Sequence, residues 1–71
     1  MENRRNNNLG KKIKELRLKH HLSQDELARK ADVPYTTFTK IETGVIKNPS
    51  VYAVAKIAKA LRVSLDKLIK K

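Results

Sequence analysis

Cysteine and tryptophan are absent from this 71-residue chain, and the aromatic set is two Tyr and one Phe. Without cysteine there is neither a disulfide nor a thiolate zinc site to staple a small fold. Glycine and proline number only two each, too few for a loop-rich or low-complexity chain. Acidic side chains are also scarce, with 7 Asp plus Glu against 17 Lys plus Arg and a formal net charge of +10. No apolar run approaches the roughly 18 residues that cross a bilayer, and the N-terminal stretch lacks the apolar core of a signal peptide. The expected location is therefore the cytoplasm.

What is present suffices for one small domain. Leu, Ile, Val and Phe make up about 27% of the residues, above the roughly 20% below which a charged chain fails to fold. The core is thin, so tightly packed helices or a partner must compensate for the missing staples. A strong positive excess on a folded domain attracts polyanions, nucleic acid first and an anionic membrane surface second. Charge alone does not choose between them.

Residues 1–8 (MENRRNNN) carry no apolar residue after the initiator and are expected to form a flexible N-terminal arm, with Arg4 and Arg5 able to touch a phosphate backbone. The domain proper is expected over residues 9–71. Leu9, Ile13 and Leu16 recur at helical spacing among lysines, which gives a first helix ending near His20. Ser23-Gln24-Asp25-Glu26 has the form of a capping box and opens a second helix with Leu27, Ala28 and Ala31 inward. That helix must stop before Pro34. A third runs from about Tyr35 to Thr43 with Phe38 and Ile41 inward, and Gly44 closes it in the left-handed conformation. After a loop over residues 45–49, Val51, Val54, Ile57, Ala58 and Leu61 mark a fourth helix. Ser64 caps a short fifth, with Leu65, Leu68 and Ile69 inward. No stretch alternates with period two, so the expected fold is all-α, five short helices.

Helices two and three are separated only by residues 32–34, the spacing of a helix-turn-helix over residues 24–43. A small Ala28 where two helices cross, with Val33, Phe38 and Ile41 filling the wedge, fits that geometry. The adjacent His20 and His21 diverge by about 100° on a helix and cannot chelate one metal together. No His or Cys is placed to activate a nucleophile, and no Gly-rich phosphate loop is present. No enzyme, cofactor or metal site is therefore expected. A membrane-surface role for the basic helix over residues 51–61 would need the same apolar stripe that closes the core, so no membrane partner is expected either.

The strings LGKKIKELR, LSQDELARKADV, TKIETG and NPSVYAVAKIAKALRVSLDKLI, in this order, resemble the Xre-like family of helix-turn-helix regulators, which includes lambdoid phage repressors and Cro proteins. The resemblance covers residues 9–69. It departs at Asp32, where the family usually has Gly for a positive φ, and at Pro34, where a Ser or Thr cap is usual. Asp tolerates the left-handed region better than most side chains, and Pro34 forgoes one side-chain hydrogen bond.

The resemblance implies a sequence-specific double-stranded-DNA-binding transcriptional repressor whose third helix lies in the major groove. Base contacts would come from Tyr35, Thr36, Thr39 and Lys40, whose spacing places them on one helical face. Phosphate contacts would come from Gln24 at the start of helix two and from Thr43, Lys47, Asn48 and Ser50 on the other side. Arg17 and Glu42 would pair behind the recognition helix. Similar proteins bind pseudo-palindromic operators as dimers, which would here use Val45, Ile46, Leu65 and Leu68. The competing reading is an antitoxin-like module whose main partner is a protein. No segment of the chain specifically calls for one.

Overall fold

The structure, a computed structural model, describes the backbone of residues 3–69 and the side chains of residues 9–69. Five helices follow in order: α1 Asn3–Lys19, α2 Gln24–Ala31, α3 Tyr35–Thr43, α4 Val51–Ala60 and α5 Leu65–Ile69. No strand occurs among the described residues, so the fold is all-α.

Helix α1 begins at Asn3, so the first helix, expected from Leu9, also takes in residues 3–8. Once packing of Ile13 and Leu16 has paid the nucleation cost, each further turn adds a hydrogen bond per residue, and no Pro stands in residues 3–8 to stop it. Residues 1–2 and the side chains of Arg4 and Arg5 lie outside the described residues, and with them the proposed backbone contact.

The core joins all five helices: Ile13 of α1, Leu27, Ala28 and Ala31 of α2, Phe38 and Ile41 of α3, Val54, Ile57 and Ala58 of α4, and Leu68 of α5. Val33 and Leu61 complete it from the connections. Burying each larger apolar side chain here contributes about 1.5–3 kcal/mol relative to exposure. Two expected inward residues face out instead, Val51 at 69% and Ile69 at 53% exposure. They are the first residue of α4 and the last of α5, where no neighbouring element covers them. Of the residues expected at a dimer surface, Leu68 is only 2% exposed, so its apolar area is consumed within the chain, while Ile46 and Leu65 are half-buried and Val45 is exposed.

Helix ends are specified locally. Ser23 accepts from the Glu26 amide while the Glu26 carboxylate accepts from the Ser23 amide, a complete capping box. Ser50 and Ser64 cap α4 and α5 through the amides of Ala53 and Lys67. Helices α1, α2 and α4 all exit through the same pair of backbone bonds. Leu22, Val33 and Val63 donate to the carbonyls of Arg17, Ala28 and Ala58, while His21, Asp32 and Arg62 donate to those of Leu18, Arg29 and Lys59. This is the Schellman arrangement, and it needs a left-handed residue at the turn. His21, Asp32 and Arg62 accordingly have φ of 57°, 61° and 62°. In each case the next residue is apolar and returns toward the core.

Candidate nucleic-acid interface

Helices α2 and α3 are joined by Asp32, Val33 and Pro34. Asp32 takes the positive φ where glycine would be easier, Val33 is buried, and Pro34 opens α3 with no side-chain cap. From outside, Lys56 of α4 reaches back to the turn: its Nζ donates to the Asp32 carbonyl at 3.3 Å and lies 4.9 Å from the centre of the Tyr52 ring. The turn is thus held by α4 as well as by its own backbone.

Behind α3 lies a buried polar network. Arg17 Nε donates to Glu42 Oε2 at 2.8 Å, and Arg17 Nη1 donates to the Leu22 carbonyl at 2.8 Å. Gln24 Nε2 donates to Glu42 Oε1. The Glu42 carboxylate therefore ties the end of α3 to α1 and to the first residue of α2. No buried side-chain nitrogen or oxygen among the described residues lacks a partner, the condition under which an interior ion pair is tolerable.

Gly10 explains how close α1 comes. Gly10, Ile13 and Arg17 lie at i, i+3 and i+7 on one stripe, and a Cβ on Gly10 would sit 2.9 Å from the Ile41 carbonyl oxygen and nearer still to that of Glu42. Only glycine lets α1 press this tightly against the end of α3. The sequence reading missed this position, although a glycine inside an otherwise amphipathic helix is the signal that marks such a contact. It also missed Lys56, whose reach to Asp32 depends on tertiary placement of α4.

The outward side of α3 is what the buried side leaves over. Tyr35 is 50% exposed, Thr36 and Lys40 are exposed, and Thr39 is half-buried. The Thr39 hydroxyl donates to the Thr36 carbonyl at 3.0 Å and that of Thr43 donates to the Thr39 carbonyl at 2.8 Å. Both threonines keep acceptor lone pairs and a methyl group for an incoming partner, but not a donor. Of the expected phosphate set, Thr43, Lys47, Asn48 and Ser50 are exposed around the loop between α3 and α4, whereas Gln24 is half-buried. The Ser50 hydroxyl is taken up as an α4 cap.

The two helix starts differ electrostatically. The first turn of α2 carries Asp25 and Glu26, while that of α4 carries no acid and follows Lys47. Asp25 pairs with Arg29 at 3.0 Å. Hydrogen bonds from the Ser23 amide and then its hydroxyl, helped by Arg29, hold the Glu26 carboxyl below its ordinary pKa, so it stays ionised. Negative charge at the start of α2 opposes an anion there; the start of α4 has no such charge.

Two short helices at this spacing, joined by a left-handed residue and backed by a third, define a helix-turn-helix domain. A family model described as helix-turn-helix matches residues 13–68, and the chain belongs to this Xre-like family of DNA-binding regulators. Comparison with curated proteins and with solved structures finds no match. None of the helices among the described residues is long and apolar enough to cross a membrane.

Proposed function

We propose that the protein is a sequence-specific repressor that inserts α3 into the major groove of double-stranded DNA. The observation that carries this reading is the division of α3: Phe38, Ile41 and Glu42 are buried, while Tyr35, Thr36 and Lys40 are exposed on the other side. Lys40 donates to guanine O6 and N7, the Thr36 hydroxyl bonds a base edge, and Thr39 accepts from a base amino group or touches a thymine methyl. Tyr35 sits at the start of the helix, where it meets a base or the adjoining phosphate.

Backbone anchoring is asymmetric in this reading. The start of α4, with Thr43, Lys47, Asn48 and the amides after Ser50, is the stronger phosphate site. At the start of α2, Gln24 has one amide hydrogen committed to Glu42 and one left for a phosphate. That gives the network a second role, because a phosphate held by Gln24 is positioned relative to α3 through Glu42. The domain presents few base contacts, so two copies on a pseudo-palindromic operator, with half-sites about 34 Å apart, supply the rest. Within the loop after α3 and in α5, Val45 at 69% and Ile69 at 53% are the large apolar side chains left exposed to meet a second copy. Repression follows from occupying the site, and the setting is cytoplasmic.

Selection of bound sequences from random duplexes, followed by affinity measurements on the Lys40→Ala and Lys47→Ala variants, tests this. Lys40→Ala is expected to cost about 1–3 kcal/mol at one base position and relax preference there. Lys47→Ala is expected to weaken all sequences alike and lower the log–log salt slope by about one. Indistinguishable behaviour of the two variants would reject the groove assignment.

A further inference from the structure

The ends of α1 and α4 meet beside Lys30 of α2 around an open pocket of about 230 Å³, lined by His20, Leu22, Lys30, Ala60 and Arg62. None of these residues belongs to α3 or to the loop that follows it. The lining holds two full positive charges, an imidazole and no carboxylate.

Cations near helix ends commonly serve the terminal carbonyls. Here that work is already done by the backbone. At the exits of α1 and α4, the carbonyls of Arg17, Leu18, Ala58 and Lys59 accept from the amides of Leu22, His21, Val63 and Arg62. Nor are the charges neutralised laterally by a described carboxylate: neither Lys30 nor Arg62 takes part in the ion pairs Arg17–Glu42, Arg29–Asp25 and Lys56–Asp32. Arg62 also occupies the left-handed turn position, at φ 62°, where its side chain costs stability that glycine would not. Among the described residues, the pocket thus gathers Lys30 and Arg62 without a carboxylate partner.

We propose that this pocket is an anion site, separate from the duplex-reading face, that takes a phosphate group. The guanidinium of Arg62 offers parallel N–H donors to two phosphate oxygens, Lys30 a point charge, and His20 a further ring N–H, while Leu22 and Ala60 form an apolar wall. Its volume is below the roughly 300–1,000 Å³ of pockets that enclose drug-sized ligands, so it suits one phosphate group rather than a whole nucleotide. That group belongs either to a free small anion or to a DNA backbone that wraps beyond the α3 face.

The test is titration of inorganic phosphate into the full chain at constant ionic strength in chloride, followed through backbone amide NMR shifts. Saturable shifts are expected at residues 20–22, 30 and 60–63. The Lys30→Gln/Arg62→Gly variant is expected to bind phosphate at least about tenfold more weakly, as when hydrogen bonds to a charged group are removed; glycine at position 62 suits the turn, so the fold is kept. A Lys14→Gln/Lys67→Gln control with the same loss of charge is expected to bind as the wild type does. Shifts that never saturate, or an equal loss in control and pocket variants, overturn the proposal. Salt dependence on an arbitrary-sequence duplex then separates the sources. A slope lower by about one in the pocket variant assigns the site to backbone phosphate, and an unchanged slope assigns it to a free anion.

Discussion

Arg17 and Glu42 meet at 2.8 Å with their side chains 9% and 3% exposed, and between them they fix α3 against α1. Removing one partner leaves the other charge buried and alone. Arg17→Met or Glu42→Leu by itself is therefore expected to cost about 3–5 kcal/mol, while the double variant recovers most of that loss. Urea unfolding of the full cycle measures this, and a coupling energy near zero would contradict the clamp.

Gly10 offers a test with an unusual sign. Replacing a glycine by alanine inside a helix ordinarily stabilises by about 0.5–1 kcal/mol. Here the added methyl would press on the carbonyls of Ile41 and Glu42, so Gly10→Ala is expected to destabilise by about 1–3 kcal/mol. A higher melting temperature for this variant would mean that α1 and α3 are not packed so closely.

Asp32 stands at φ 61° in the turn between α2 and α3, and its carboxylate is almost fully exposed, 3.9 Å from Lys56 Nζ. An exposed pair of that kind contributes little. Asp32→Gly is expected to stabilise by about 0.5–1 kcal/mol, the relief of left-handed strain outweighing the extra freedom of the unfolded chain. Thermal unfolding decides the sign.

The Glu26 carboxyl is depressed by hydrogen bonds from the Ser23 amide and then the Ser23 hydroxyl, with Arg29 adding to the effect. A depressed folded-state value means that this carboxylate stabilises the fold above its unfolded pKa, and that the contribution disappears as pH falls through the folded one. The stability difference between wild type and Glu26→Gln should accordingly be present at neutral pH and vanish in acid. A difference independent of pH would show that the capping box owes nothing to charge.

Wherever one short-range rule decided the outcome, the sequence was readable. The capping box at Ser23, the break before Pro34, the left-handed Gly44 and the small Ala28 follow from neighbours within a few residues. The Arg17–Glu42 pairing was reached through resemblance, since nothing local links residues so far apart. Two features depended on packing that no local pattern encodes. Helix α1 grew past its apolar stripe to Asn3, and Lys56 arrived beside Asp32 only because α4 folds over the turn, whereas Leu68 reached the core as its helical spacing indicated. His21 and Arg62 show the same limit, because their left-handed turns are set by the apolar residue that follows and must return inward. The residues expected to meet DNA were likewise named by resemblance, with exposure along α3 showing which atoms remain free to do so.

The buried side of α3 is bolted to α1 by Ile41, Glu42 and the contact at Gly10, while Tyr35, Thr36 and Lys40 contribute little to the interior. In the proposed function these outward positions read the base sequence, and they are free to change without a penalty in folding. Descendants of this chain could acquire new addresses on DNA by drifting at three letters, while the scaffold that aims them stays the same.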